Sequence, residues 1–312
     1  MYTIFIDGSS GTTGLRITSL LAERDDIEIT ELTGEARKDE DARLAQIRAA
    51  DVSVLCLPDT ESAKIAARAP TDARLIDAST VHRVDPAWVY GLPELGAAQR
   101  ERIAGANRVA VPGCHATGFI LLARPLVESG IVRKGHPFIA HSVTGYSGGG
   151  KAMIAEYESA GRAAEFSAPR QYALGQRHKH LPEMKKYALC EREPVFTPHV
   201  ADYFSGIEVV TGLFREQLAD GAGASDVRAA LEDYYAKEDF ITVRREGAVP
   251  GDGYLSAAAY AGRNDVEISI NGNEERITLT ARYDNLGKGA AGAAVQCLNS
   301  MLGIDEKKGL LD

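Results

Sequence analysis

The chain has 312 residues, of which 45% are hydrophobic and 25% charged, and its formal net charge is −9. These values are typical of a globular protein with one large domain or two ordinary ones, and the acidic balance disfavours nucleic acid and anionic membrane surfaces as partners. No apolar run approaches the roughly 20 residues that span a bilayer, and the N-terminal segment lacks the basic region and apolar core of a signal peptide. We therefore expect a cytoplasmic protein that binds small molecules.

The first 113 residues alternate predicted strands and helices. Short apolar runs predict strands at Thr3–Ile6, Ile27–Leu32, Val52–Leu57, Leu75–Asp77 and Val109–Val111, and helical spacing predicts helices at Thr13–Arg24, Asp39–Ala50 and Ser62–Ala69. Repeated β-α-β units indicate a doubly wound parallel sheet of the Rossmann type.

The remaining residues indicate a mixed α+β domain. The predicted strands are Phe138–Thr144, Val195–His199 and Gly206–Leu213, with a hairpin of Val266–Ile270 and Arg276–Arg282 turning at Asn271-Gly272. The predicted helices are Ala116–Glu128, Val227–Lys237 and a final one, Lys288–Leu302, whose small residues favour close packing on the first domain. We expect one domain at 1–113 plus 289–312, and a catalytic and oligomerisation domain at 114–288.

A glycine-rich loop follows the first predicted strand. Its glycines are spaced GxxGxxG, which differs from the commonest dinucleotide fingerprint, GxGxxG. The physical basis is the same, because glycines allow a tight turn and let backbone N–H groups approach a pyrophosphate at a helix N-terminus. The candidate cofactor-binding residues of this loop are Gly8, Ser9, Ser10, Gly11, Thr12, Thr13 and Gly14.

The residues after the second predicted strand bear on the choice between NAD and NADP. Basic side chains suit a 2′-phosphate and carboxylates suit a ribose diol. Arg37 and Lys38 favour NADP, whereas Glu31 and Glu35 favour NAD. A solvated run of charges is an equally good interpretation.

Cys114 is the candidate nucleophile. It follows a predicted strand and the strand-breaking pair Pro112-Gly113, and a predicted helix begins just after it. A sulfur at a helix N-terminus is favoured as the thiolate, and the N–H groups there can hold a developing oxyanion. The pattern predicts covalent catalysis.

Among the histidines, His180 is the best candidate for proton transfer. Leu181 precedes a proline and is biased towards extended backbone, and Pro182 suits the first turn of a helix, so His180 is expected on a loop that enters a helix. His115 adjoins Cys114 at a helix start, so the two side chains are expected to diverge. His178 and His180 could pair on a metal, but no third ligand accompanies them and no metal site is predicted.

Several motifs together resemble the N-acetyl-γ-glutamyl-phosphate reductases of arginine biosynthesis. The resemblance extends over essentially the whole chain, and the compact length with Gln176–His180 resembles the family's short subgroup. The matching segments are Gly8–Gly14, Tyr90–Leu95, Pro112–Gly118, Gly145–Gly150, His178–Glu183 and Asp284–Gly292.

The resemblance implies that NADPH reduces an acyl phosphate to an aldehyde, with Cys114 as nucleophile and His180 as acid/base. A thiolate that expels phosphate leaves a thioester, which a hydride can reduce. It also implies a homo-oligomer, a dimer or a tetramer. Asn285, Gly287 and Lys288 are expected to help bind the cofactor, and the expected substrate-binding residues are Arg83, Ser147, Gly148, Gly149, Lys151 and Arg177.

Three alternatives stay open. A sister reductase acting on aspartyl phosphate or an aminoadipyl phosphate would use the same mechanism. A non-catalytic NADP-binding sensor would need the glycine loop but neither the sulfur nor the imidazole. A thiol hydrolase would need no nicotinamide.

Overall fold

The structure, a computed structural model, describes residues 1–245, 247–248, 250 and 252–311. Glu246, Val249, Gly251 and Asp312 fall within the ranges expected for the two domains but lie outside the described residues. The chain divides into two compact units, the first comprising Met1–Pro112 with Ala290–Asp312 and the second Gly113–Gly289.

The secondary structure of the described residues alternates in the first unit and is mixed in the second. The strands are β1 (Tyr2–Asp7), β2 (Ile27–Thr30), β3 (Val52–Leu55), β4 (Leu75–Asp77), β5 (Val89–Tyr90), β6 (Arg108–Ala110), β7 (Ile139–Gly145), β8 (Arg170–Gln171), β9 (Val195–Ala201), β10 (Ile207–Phe214), β11 (Ile241–Val243), β12 (Val266–Gly272) and β13 (Arg276–Tyr283). The α-helices are α1 (Thr12–Leu21), α2 (Glu40–Ala49), α3 (Asp59–Arg68), α4 (Ala97–Ala104), α5 (Cys114–Glu128), α6 (Gly150–Glu158), α7 (Leu181–Tyr187), α8 (Ala224–Tyr235) and α9 (Gly292–Leu302).

The first unit is built on a six-stranded sheet in the order β2-β1-β3-β4-β6-β5, and each pair described is parallel. All four residues of β3 are buried, as expected of a strand covered on both faces. Asp39 caps α2 by accepting hydrogen bonds from the N–H groups of Asp41 and Ala42. The small-residue helix α9 packs on α1 and α4, so the expected return of the C-terminal helix to the first domain is confirmed.

The second unit contains a seven-stranded sheet in the order β11-β12-β13-β10-β7-β9-β8. Both parallel and antiparallel pairs occur in it, which confirms the expected mixed sheet. One face of the sheet packs on α5 through β10 and β13, and α7 and α8 pack on α5 in turn. α5 is buried along most of its length, so the helix that begins at Cys114 is anchored in the core of this unit.

Two local predictions were wrong. The predicted antiparallel hairpin is present as β12 and β13, but Asn271 and Gly272 do not form its turn, because both still pair with β13. The chain reverses one residue later, at Asn273. The side chain of Asn273 accepts hydrogen bonds from the N–H groups of Glu275 and Arg276, as asparagine does in tight turns. The final helix was predicted from Lys288, but Gly287–Ala291 forms a π-helical turn and the α-helix begins at Gly292.

Within the described residues, no helix combines the length and the apolar character that crossing a bilayer requires.

Candidate active site

The glycine loop of the first unit brings backbone atoms too close together for larger residues. Gly8 has φ +88°, and a Cβ there would lie 2.4 Å from the carbonyl oxygen of Cys56. A Cβ on Gly14 would lie 2.4 Å from the carbonyl oxygen of Gly8. The loop therefore leaves a cradle of backbone at the N-terminus of α1, and this cradle fits the pyrophosphate of a dinucleotide.

A pocket of about 350 Å³ adjoins this loop. Its lining includes Gly8, Ser9, Ser10, Glu31 and Arg37, while Gly11, Thr12, Thr13 and Gly14 form the helix start beside it. Lys38 does not line this pocket, and its ammonium instead lies 3.1 Å from a carboxylate oxygen of Glu35 at the surface. Of the two basic residues expected near a 2′-phosphate, Arg37 lines this pocket and Lys38 does not.

Cys114 is the first residue of α5, and Gly113 is the N-cap. The side chain is partly exposed, whereas the residues on both sides of it are buried. The first N–H groups of an α-helix have no partner within the helix, so they can stabilise negative charge on the sulfur or on an oxygen bonded to the attacked carbon. The expected order of strand, turn and a cysteine at a helix start is present.

Tyr283 fixes the backbone at Cys114. Its hydroxyl donates to the carbonyl oxygen of Cys114 and accepts from the N–H of Gly118 over 2.8 Å, the two groups that pair with each other in a regular α-helix. A Cβ on Gly289 would lie 2.9 Å from the Cβ of Cys114, so the chain at Gly289 passes directly against the cysteine. Burial, together with negative charge at Cys114, raises the pKa of Tyr283, which keeps the phenol protonated as a donor.

His180 is the N-cap of α7, and Pro182 lies in the first turn, as the sequence predicted. Leu181, which was expected to be extended, is instead the first residue of the helix. Its ring is buried in a cluster of histidines, with its centroid 4.5 Å from that of His178 and 5.5 Å from that of His115. The N–H of His180 donates to Nδ1 of His178 over 3.1 Å. The second unit thus contains both the candidate nucleophile and the candidate acid/base.

His115 joins the part of the second unit that carries Cys114 to the part that carries His180. Its Nδ1 lies 2.8 Å from Oγ of Ser142, and its Nε2 lies 2.6 Å from the hydroxyl of Tyr172. Burial, reinforced by positive charge at His178 and Lys179, lowers the pKa of His115 to about 3. Neither Tyr172 nor Ser142 could be found from the sequence, because neither lies near Cys114 along the chain or within a recognisable motif.

The other expected site residues of the second unit differ in their surroundings. The side-chain amide of Asn285 accepts a hydrogen bond from the N–H of Gly206 and donates one to Oγ of Ser147, so it supports the glycine-rich loop. Lys288 is buried, and its Nζ lies 4.9 Å from the ring centroid of Phe240. A Cβ on Gly287 would lie 2.0 Å from the carbonyl oxygen of Arg263, which explains a glycine there. The residues exposed to solvent are Gly148, Gly149, Lys151 and Arg177.

Arg83 lies in the first unit and is buried. Its Nε donates to the carbonyl oxygen of Val111 over 2.9 Å. The residue before it, His82, stacks on Trp88 and bonds to the buried carboxylate of Asp77 over 2.6 Å. Arg83 therefore holds the backbone just before the Pro112-Gly113 turn.

Comparison with protein families accounts for nearly the whole chain. Residues 3–106 match the model of the semialdehyde dehydrogenase NAD binding domain, and residues 114–285 match that of the semialdehyde dehydrogenase dimerisation domain. The chain belongs to the semialdehyde dehydrogenase family. The dimerisation model covers the second unit, where an oligomer interface was expected.

Curated relatives within this family carry a more specific name. Proteins of Brucella ovis and Brucella suis named N-acetyl-γ-glutamyl-phosphate reductase are 41% identical over 308 residues, covering 96% of this chain and 98% of theirs. The resemblance drawn from the sequence motifs is confirmed.

Solved structures agree on the fold. Aspartate semialdehyde dehydrogenase II of Vibrio cholerae, crystallised in complex with ASA, has a TM-score of 0.70 at 16% identity, covering 97% of this chain and 98% of that one. Aspartate semialdehyde dehydrogenase of Candida albicans, crystallised with NADP, has a TM-score of 0.66 at 15% identity, covering 97% and 98%. At these identities the likeness shows the fold alone, and it confirms the expected two-domain α/β class.

Proposed function

We propose that this chain reduces N-acetyl-γ-glutamyl phosphate to N-acetylglutamate semialdehyde with NADPH and releases phosphate. The specific substrate is supported by the name of relatives that are 41% identical over almost the full length. The chemistry is supported by one observation above all, the partly exposed Cys114 as first residue of α5. The proposal includes a cytoplasmic location and assembly as a homo-oligomer through the second unit.

The first step is attack by the sulfur of Cys114 on the acyl carbon. His180 takes the thiol proton, so that the thiolate carries the electron pair that forms the new S–C bond. Negative charge then develops on the carbonyl oxygen, where the first-turn N–H groups of α5 can stabilise it. The C–O bond to phosphate breaks, the phosphate leaves with the bonding electrons and takes the proton held by His180, and a thioester remains on Cys114.

The thioester is the form of the substrate that is reduced. NADPH, when bound, supplies the hydride that converts the thioester carbonyl into an oxyanion. Collapse of this oxyanion breaks the S–C bond, which releases the aldehyde and regenerates the thiolate of Cys114. A proton from solvent, passed on by His180, can then return to the sulfur.

NADPH and the acyl phosphate are both anionic, and we assign their binding to separate sets of residues. Gly8–Gly14 would hold the pyrophosphate and Arg37 the 2′-phosphate, since both adjoin the pocket of the first unit. For the substrate phosphate and carboxylate we propose Arg83, Lys151 and Arg177, with backbone N–H groups of Ser147–Gly149. Asn285, Gly287 and Lys288 would contribute to the cofactor site through the backbone that they hold in place.

Acylation of Cys114 can be tested without turnover. Wild-type protein mixed with the acyl phosphate and no NADPH should gain the mass of an N-acetylglutamyl group on Cys114, and addition of NADPH should discharge it. Cys114→Ala should show no adduct and no turnover while still binding NADPH. An active wild-type enzyme that never carries the adduct would contradict the proposal.

The acyl chain is tested by running the reaction in the oxidative direction with phosphate. The panel comprises the semialdehydes of N-acetylglutamate, aspartate and N-acetylaminoadipate, and kcat/KM should be highest for the first. A higher value for either of the others would favour a sister reductase. Binding of NADPH with no turnover of any of the three would favour a sensor, and no binding of NADPH would favour a thiol hydrolase.

A further inference from the structure

The segment that leads to His180 contains two residues in a costly backbone conformation. Ala173 and Gln176 both have φ +53°, although neither is glycine. A non-glycine residue in the left-handed region brings its Cβ too close to the backbone, and such strain persists only where the surrounding structure holds it. Other contacts must therefore hold the segment Tyr172–His180 in place.

One restraint is a reciprocal pair of hydrogen bonds to β9. Nε2 of Gln176 donates to the carbonyl oxygen of Phe196 over 2.8 Å, and the N–H of Phe196 donates to Oε1 of Gln176 over 2.9 Å. The side-chain amide thus pairs with a strand as a neighbouring backbone would. This fixes the middle of the segment on the sheet.

The second restraint is the bond between Tyr172 and His115, and its direction can be deduced. Ser142 lies 2.9 Å from the carbonyl oxygen of Glu208, which can only accept, so the hydroxyl proton of Ser142 points there. Oγ of Ser142 must then accept from Nδ1–H of His115. The neutral imidazole leaves Nε2 bare, so Nε2 accepts the proton of the Tyr172 hydroxyl.

This orientation persists across the working pH range. The pKa of His115 is lowered to about 3 by burial and by nearby positive charge, so Nε2 stays unprotonated. Burial raises the pKa of Tyr172, and negative charge at Cys114 raises it further, so the phenol keeps its proton.

We propose that His115 and Tyr172 are positioning residues, a clamp that ties the segment carrying His180 to the helix that begins with Cys114. His115 is the residue next to Cys114 on α5, and Tyr172 begins the strained segment that ends at His180. The bond between them therefore fixes the acid/base relative to the nucleophile, although His115 itself transfers no proton. This inference rests on the roles proposed above for Cys114 and His180.

The test is the pH dependence of Cys114 alkylation by iodoacetamide, followed on the Cys114 peptide by mass spectrometry. An imidazolium close to a thiolate lets alkylation persist at low pH, so His180→Asn should slow alkylation at pH 6 and leave the rate at pH 9 unchanged. Tyr172→Phe removes the clamp and should slow alkylation at pH 6 at least fivefold, with less than a twofold change at pH 9. A residue that only supports the fold would not produce this pH-selective loss.

Two variants of His115 provide a matched control. In His115→Gln the amide oxygen can still accept from Tyr172, whereas in His115→Asn the shorter side chain reaches Ser142 but not Tyr172. We expect alkylation at pH 6 close to the wild-type rate for His115→Gln and a loss like that of Tyr172→Phe for His115→Asn. The double variant His115→Asn/Tyr172→Phe should lose no more than the more severe single variant.

The possible results separate the clamp from the proposed function. If His180→Asn alters the pH profile and Tyr172→Phe does not, the clamp is wrong and the proposed function stands. If His180→Asn leaves the profile unchanged, the role of His180 fails and the clamp fails with it. Equal loss in His115→Gln and His115→Asn, with lowered melting temperatures in both, would reduce His115 to a structural residue and overturn the clamp.

Discussion

The backbone N–H of Gly113 donates a hydrogen bond to Oε2 of Glu183 over 3.0 Å. Gly113 is the N-cap of the helix that begins with Cys114, and Glu183 lies in the first turn of the helix that His180 caps. Glu183 is only 1% exposed, so this bond is shielded from water. One carboxylate therefore joins the two helix starts that carry the proposed nucleophile and acid/base.

Glu183→Ala should impair both stability and catalysis. Loss of the acceptor leaves the buried N–H of Gly113 without its partner, which costs about 1–3 kcal/mol, and it frees the start of α5 to move. We expect a lower melting temperature and a fall in kcat of at least tenfold, measured with N-acetylglutamate semialdehyde in the oxidative direction.

Glu183→Gln is the matched control, because the amide oxygen can still accept from Gly113. It should retain kcat within about threefold, by the same hydrogen-bond reasoning. If Glu183→Gln proves as damaging as Glu183→Ala, the negative charge matters more than the hydrogen bond to Gly113.

The first unit also yields a prediction at the cofactor loop. Gly8→Ala would place a Cβ 2.4 Å from a backbone oxygen at φ +88°, so the cradle must distort. NADPH affinity, measured by fluorescence titration, should fall at least tenfold, which is about 1.4 kcal/mol.

Gly303→Ala isolates the contribution of backbone strain. Gly303 has φ +70°, and no atom lies within 4 Å of the position that a Cβ would take there, nor does Gly303 line the pocket beside the glycine loop. This variant should lose about 1–2 kcal/mol of stability and keep its NADPH affinity. If Gly8→Ala and Gly303→Ala bind NADPH with equal affinity, the assignment of the glycine loop as the pyrophosphate site is contradicted.

The periodic and local features of the fold could be predicted from the sequence. Two short patterns were sufficient for correct predictions. The continuous apolar run at β3 predicted a parallel strand, and the proline after Leu181 predicted the helix that His180 caps. The two-residue strand β5 was missed because it is too short to show a period. The hairpin turn was misplaced because a side chain, that of Asn273, stabilises the reversal beyond the asparagine–glycine pair.

The supporting contacts of the candidate site could not be predicted. His115 and Tyr172 are 57 positions apart, and Gly113 and Glu183 are 70 apart. Such contacts depend on how β7, β9 and β10 bring distant segments together, and no local pattern encodes that. The sequence analysis did not choose His115 for proton transfer, because its side chain was expected to point away from that of Cys114. That same orientation lets the His115 ring reach Tyr172.

Coenzyme preference should depend on Arg37 and not on Lys38. Arg37 lines the pocket beside the glycine loop, whereas Lys38 pairs with Glu35. Arg37→Ser should weaken NADPH binding about tenfold, in line with loss of a charge-assisted hydrogen bond, and leave NADH binding unchanged. Lys38→Ser should alter neither dissociation constant more than twofold, and the opposite ranking would assign the 2′-phosphate to Lys38.

Asp7 makes the stability of the first unit depend on pH. Burial raises the pKa of this carboxyl to about 6, against the opposing charge of Arg43. Because the folded state holds the proton more tightly than the unfolded chain, the contribution of Asp7 to stability is fully present below pH 3.8 and is lost as the pH rises through about 6. The difference corresponds to roughly 3 kcal/mol.

Asp7→Asn removes this ionisation and should raise the melting temperature at pH 8 relative to wild type, with little gain at pH 4. Asp26 provides a control of opposite sign, since its hydrogen bond with Arg24 holds the pKa of Asp26 below its usual range. Asp26→Asn should therefore lower the melting temperature by a similar amount at pH 8 and at pH 4, because the contribution of a carboxyl with a lowered pKa is lost only below pH 3.8. Melting curves of the three proteins between pH 4 and pH 8 decide the matter, and a loss of stability in Asp7→Asn at pH 8 would show that the Asp7 carboxylate stabilises the fold through Arg43.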